Sequence, residues 1–195
     1  KSQFQSILQI LNNVSASNAK VQTIYTTNAE ANLTPSAMGA SISLGDFSVN
    51  LAIAKAAASA LAAVEGPGKL VLTYDLLVKA DSSKSKALAN IEGATVSIQG
   101  FQFAVNVADS QLALEQTVAV KNITVEAGRD IFIYSYADTL ASTAKTGSNG
   151  GVGITLVGGT ENVATADVSA RNMILLEQAY LTAVGNVLTQ ASSKT

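Results

Sequence analysis

With no histidine and no cysteine in 195 residues, only a lysine could activate a serine nucleophile in this chain. The serines that stand near one are Ser82, Ser83 and Ser85, beside Lys84 and Lys86. They lie in a polar tail that reads as a solvated loop. A second grouping suits carbohydrate chemistry. Asp75 and Asp130 recur at one phase of an internal repeat, with Arg129 and Lys79 close in sequence. Several acids and a basic residue on one face are what a polysaccharide-cleaving site gathers. The competing expectation is a surface ladder of Asp75, Asp130 and Arg129 at a corner, where Asp and Asn accept from backbone donors. Asp138, Glu161 and Asp167 have a calcium-binding residue type, but no loop has the spacing of a calcium-binding motif. Gly150-Gly151-Val152-Gly153 has the residue type of a phosphate loop without its pattern. Asn13, Asn32 and Asn122 each open an Asn-X-Ser/Thr sequon and are candidate glycosylation sites. No catalytic, cofactor-binding or metal-binding residue is expected, and no cofactor.

The composition points the same way. Charged residues make up 13% of the chain, hydrophobic residues 48% and aromatics 5%. An ordinary soluble enzyme carries about 25% charged residues. The net charge of −2 gives no footprint for nucleic acid. The most apolar run, Leu51 to Val64, contains Lys55 and is too short to cross a bilayer, so no membrane insertion is expected. The chain opens on Lys1, which suggests a processed product or a piece of something longer.

The elements that would carry these residues repeat. Segments starting at Lys20, Asp75, Asp130 and Asn186 share a polar, apolar, β-branched pattern at spacings near 55. Between them lies a second phase. Gly39 to Leu44 matches Gly93 to Ile98 at a spacing of 54, as Phe47 matches Phe101, and Gly151 to Leu156 follows after a further 58. Ile42 and Leu44, Val96 and Ile98, and Ile154 and Leu156 alternate with small or polar residues, the period of a strand with one buried face. Two halves of about 27 residues per repeat suit one coil each of a parallel β-helix. The expectation is a single all-β domain over residues 1–195. It would be a β-solenoid of about seven coils and three and a half repeats.

Two stretches pull the other way. Leu51 to Val64 is rich in Ala, the best helix former, and Phe4, Ile7, Leu8 and Leu11 have helical spacing. The weaker helical character of Val105 to Val120, the counterpart of the first, argues for strand there. A short helix near the N-terminus is retained as an expectation. Leu114-Glu115-Gln116 recurs as Leu176-Glu177-Gln178 at a spacing of 62, which predicts an insertion and a deletion in the third repeat. Tyr25, Tyr134 and Tyr136 fall in strands of the first phase. Tyr134 and Tyr136 would point to one side, and core packing is expected for one face, with an outer ladder as the alternative.

Asn122-Ile123-Thr124-Val125-Glu126-Ala127-Gly128-Arg129-Asp130-Ile131, the Gly-Val-Gly-Ile segment at Gly151 and the stretch Thr160 to Val168 together resemble known repeats. They are similar to those of filamentous-haemagglutinin-like and autotransporter-type repetitive surface exoproteins, over about residues 12 to 170. The resemblance implies a right-handed parallel β-helix at a cell surface or outside the cell, used for adhesion or scaffolding. The expected function is a structural or adhesive extracellular fibre that associates end to end, with itself and cell-surface glycans as partners. The alternatives are a carbohydrate-binding or polysaccharide-cleaving β-helix, and a pilin-like subunit that exchanges a strand from Ser2 to Val14.

Overall fold

The computed structural model describes residues 2–33, 37–43, 46–93, 95–138, 140–148 and 154–194. The regular elements among them are all β-strands. In chain order they are β1 (Ser2–Gln9), β2 (Val14–Ala16), β3 (Ala19–Tyr25), β4 (Asn28–Leu33), β5 (Ala37–Ser43), β6 (Asp46–Glu65) and β7 (Lys69–Leu72). There follow β8 (Leu76–Ser83), β9 (Lys86–Gly93), β10 (Thr95–Ala127), β11 (Ile131–Asp138), β12 (Ala141–Ser148), β13 (Ile154–Ala183) and β14 (Val187–Ser193).

All the pairings among the described residues are parallel, and they build three sheets. The first runs β1-β6-β10-β7-β2, with β13 and β5 also on β10; the second runs β14-β11-β8-β3; the third runs β12-β9-β4. Each strand pairs with its counterpart one repeat on. The step ranges from 55 residues (Leu76 to Ile131) to 58 (Asn28 to Lys86). This corrects the expected stacking of seven 27-residue coils. Val21 pairs with Val78 in the second sheet, and Ile42 pairs with Ile98 in the first. The two halves of a repeat therefore lie in different sheets, and the whole repeat is the pairing unit.

The register departs from the expected spacings by two residues. Ile42 faces Ile98 and Phe47 faces Phe103, not Val96 and Phe101. A slip of two keeps every side chain on its own face, so alternation alone cannot detect it. The expected insertion and deletion in the third repeat are also absent. From Ile98–Ile154 to Ala127–Ala183 the step between β10 and β13 stays constant.

Both helical stretches are extended. β6 pairs with β10 along its whole length, and its part from Ala58 to Glu65 pairs with β1 on the other edge, so ladder pairing overrides helix propensity. An isolated helix as short as Ser2 to Leu11 is marginal in water. Here Ser2 to Gln9 pairs residue for residue with Ala58 to Glu65 instead. The expected N-terminal helix is therefore a strand.

The core lies between the sheets. Ala52, Ala54, Ala56, Ala58, Ala60 and Ala62 of β6 are all buried. Two of them, Ala52 and Ala54, pack with Ala89 and Ile91 of the third sheet and Ala108 of β10. Leu112, Leu114, Val118 and Val120 of β10 meet Leu76, Val78, Ile131 and Ile133 of the second sheet. Strict alternation on β8 and β11 puts one face in this core and leaves the other outside. Each fully buried Val, Leu or Ile contributes roughly 1.5–3 kcal/mol.

The corners are built from unusual backbone. Gly66 has φ 135°, and Asn122 and Gln178 have φ 50°. They occupy equivalent positions: Glu65 pairs with Lys121 and Lys121 with Glu177, while pairing resumes at Ile123 and Ala179. A left-handed residue at this point re-aims the strand at the end of the first sheet.

Candidate functional site

The corner before the second sheet holds the residues singled out for chemistry. Asp130 N–H donates to Asp75 Oδ1 at 3.1 Å, and Asn186 N–H donates to Asp130 Oδ1 at 2.7 Å. The row starts one repeat earlier, where Asp75 N–H donates to Asn18 Oδ1 at 3.1 Å. Asn18, not Lys20, is thus the counterpart of Asp75. Its signal was available, since Asn is the usual substitute for Asp at such a position. Each side chain takes the backbone donor of the next repeat, so the row is directional.

Arg129 sits beside the row. Its Nε donates to Asp75 Oδ1 at 3.1 Å and its Nη2 to Asp75 Oδ2, a two-pronged contact. The guanidinium also lies 5.4 Å from the ring centre of Tyr74. The hydrogen bond from Arg129 holds the Asp75 carboxyl below its ordinary range, and the pair raises Arg129 in turn. Both Asp75 oxygens are engaged, so the group is a structural acceptor rather than a free base.

The sign of its pH effect follows. A depressed folded pKa contributes stability above the unfolded carboxylate value of about 3.9, and that contribution is lost as pH falls below it. Asp75→Asn keeps the Oδ1 acceptor for Asp130 and loses the ion pair. Its melting temperature, measured from pH 5 down to pH 2, should fall less steeply than that of the unmodified chain. Parallel curves would show that the pair does not contribute.

The outer face of the second sheet carries an aromatic row. Phe132 and Tyr134 have ring centres 5.8 Å apart, and Tyr134 and Tyr136 are stacked at 5.3 Å. Tyr136 Oη donates to Gln190 Oε1 at 3.0 Å. Lys79 pairs with Asp81 at 2.7 Å and lies 5.6 Å from the centre of the Tyr136 ring. Burial, with Tyr134 alongside, pushes the Tyr136 phenol up. Next to the row is a groove of about 350 Å³ lined by Lys79, Asp81, Ser83, Tyr136, Asp138 and Lys194.

The Ser and Lys tail is structural. Ser82 and Ser85 are buried. Ser85 Oγ accepts the N–H of Thr27 at 3.0 Å, and Ser82 Oγ accepts from Gln116. Among the described residues no group of three or more acids could hold a metal ion; Asp138 ends β11 while Glu161 and Asp167 lie on β13. The three sequon residues are exposed. Asn13 lies between β1 and β2, Asn32 on β4, and Asn122 at the left-handed corner position. Gly150 to Gly153 lies outside the described residues.

Two features escaped the sequence reading. Asn50 Nδ2 donates to Asn106 Oδ1, and Asn106 Nδ2 to Asn162 Oδ1, both at 2.8 Å. Their signal was plain: an Asn recurs at the repeat interval twice over. The second is Gln116, fully buried, whose Nε2 donates to Tyr25 Oη at 2.9 Å and Ser82 Oγ at 2.7 Å. Nothing in one sequence marks it, because it joins strands from all-different repeats. Set against protein-family models, curated proteins and solved structures, the chain matches none of them.

Proposed function

We propose that this chain is a structural or adhesive segment of an extracellular fibre or surface scaffold, without catalytic activity. In this reading the three parallel sheets are the walls of a right-handed β-solenoid with one coil per repeat. Right-handedness follows the general rule for parallel crossovers. The observation that carries the proposal is the register: all three sheets pair strands at the same interval of one repeat. Such stacking distributes stability over neighbour contacts and serves continuation rather than a single pocket. The adhesive part draws on exposed Val49, Leu51, Ile53, Phe101 and Phe103 on β6 and β10, since grouped exposed apolar residues mark contact surfaces. Within this chain β1 already pairs with β6, which favours stacking over exchange of the N-terminal strand.

Electron microscopy and fibre diffraction of concentrated protein test this. Elongated assemblies with a meridional reflection near 4.8 Å are expected. A monodisperse monomer at every concentration would refute end-to-end association.

A carbohydrate-binding role is the second reading, and the row Phe132, Tyr134 and Tyr136 beside the Lys79 and Asp81 groove favours it. Titration with soluble polysaccharides, read by tyrosine fluorescence, would show binding that Tyr136→Ala weakens. No change in signal for either protein would exclude it.

A further inference from the structure

Among the described residues, the outer edges of β1 to β3 and of β13 and β14 carry complementary groups. Ala19 N–H donates to Asp75 O at 3.1 Å, and Ile131 N–H donates to Asn186 O at 2.8 Å. In a parallel pair the N–H and C=O of one residue face the same neighbour, and adjacent residues face opposite ways. Lys20, Gln22 and Ile24 therefore turn their main-chain groups away from β8, to the edge. Val187, Thr189 and Ala191 turn theirs away from β11, to the other edge.

The corner row ends in the same complementary sense. Its direction runs from Asn18 through Asp75 and Asp130 to Asn186. At one end this leaves the Asn186 Oδ1 position, which in each earlier repeat takes the next backbone donor. At the other end it leaves the Asn18 N–H, the donor of that kind.

Large exposed apolar side chains stand on these edges as well as on β6 and β10. Leu11 and Ile24 are 67% and 58% exposed at one, and Tyr180 and Val184 are 73% and 84% exposed at the other. Edge strands are normally protected by charge or proline. Residues 2–25 contain one charged residue, Lys20, and residues 170–193 contain two, Arg171 and Glu177; neither stretch contains proline.

We propose that a second copy of this chain docks head to tail, with residues 2–25 of one copy continuing the register of residues 170–193 of the other. The register is fixed by the columns already present. Ser2 stands over Ala58, Ala58 over Leu114, and Leu114 over Ala170. Ala19 stands over Leu76, Ile131 and Val187 in the same way. The joint places Ser2 beside Ala170 and Ala19 beside Val187, both strands parallel. It continues the first and second sheets, whereas the third, one strand shorter than the second, does not bring β4 of one copy next to β12 of the other. Leu8 then meets Leu176, Val14 meets Leu181, and the Asn18 N–H reaches Asn186 Oδ1. A head-to-head joint would set two Asn186 side chains against each other and leave both Asn18 donors unused. This inference rests on the end-to-end reading above and adds polarity and register to it.

The absence of cysteine makes introduced thiols the only ones. Lys20 and Leu188 are both exposed and become direct neighbours across the joint, about 4.8 Å apart at Cα, which a disulfide can span. Mixing K20C with L188C under mild oxidation should give a disulfide-linked dimer of the two variants. The pair K20C and Q190C is displaced by two residues, too far to bridge. Its yield should be lower by at least about tenfold. Equal yields, or L188C linking mainly to itself, would overturn the joint. Sedimentation of the unmodified chain separates the two levels of failure. Assembly without the K20C–L188C link sinks this joint alone, whereas no assembly at any concentration sinks end-to-end association as well.

Discussion

Gly66→Ala should cost at least about 2 kcal/mol of folding stability. Two independent effects combine at this position. The backbone of Gly66 has φ 135°, a region that side chains with a Cβ rarely enter. An added Cβ would also lie 2.2 Å from the Ile10 carbonyl oxygen and 2.8 Å from its carbon. Those are backbone atoms, so no rotamer change relieves the clash. The equivalent corners hold Asn122 and Gln178 at φ 50°, a left-handed conformation that a side chain can adopt, unlike φ 135°. Urea unfolding monitored by far-ultraviolet circular dichroism would measure the loss. A midpoint within error of the unmodified chain would mean that the corner is not rigid.

Gln116→Ala should be comparably damaging, at roughly 3 kcal/mol. The substitution removes two hydrogen bonds, each worth about 1 kcal/mol net, and leaves a cavity in a core that relaxes only in part. It also takes the amide donor away from Tyr25 Oη and Ser82 Oγ, which keep only each other as partners. Loss of the unpartnered Gln116 Oε1 offsets part of this cost. Tyr25 is 5% exposed and stacks on Phe4 with ring centres 5.0 Å apart, so the damage should extend to β1. Burial already pushes the Tyr25 phenol above its ordinary value. Gln116→Ala should lower the unfolding midpoint and increase hydrogen exchange in residues 2–9. Exchange there at the unmodified rate would show that β1 is anchored without the Gln116 network.

The period of the fold was legible in the sequence; its exact phase was not. Alternating Ile42, Leu44, Val96 and Ile98 announced strands, and the interval near 55 announced how far apart partners lie. Register was lost because Ile42 can be set on Val96 or on Ile98 with the same faces buried. The choice is made by the continuous pairing from Phe47–Phe103 to Glu65–Lys121, a non-local fact. The division into 27-residue coils failed for a related reason. Alternation reports which side of a strand is buried and says nothing about which strand lies next to it. The Ser2 to Leu11 helix was mistaken because spacing at Phe4, Ile7, Leu8 and Leu11 was weighed without the free edge of β6 that the segment occupies. Of the corner row, Asp75, Asp130 and Arg129 could be read from recurrence. Their engagement with each other needed coordinates, as did Asn18.

The constant register of β10 and β13 has a bearing on size. An α-helix advances about 1.5 Å for each residue. Here a repeat of 56 residues, as from Ile98 to Ile154, adds one strand to a sheet, about 4.8 Å. Length along the stacking direction therefore accrues more than tenfold more slowly per residue than in a helix. A chain of this kind is poor at spanning distance and sets the counterpart side chains of successive repeats at the spacing of neighbouring strands. On the outer face of the second sheet each position thus has a counterpart one strand away, and the chemistry changes along the column, as from Lys79 to Tyr134 to Gln190.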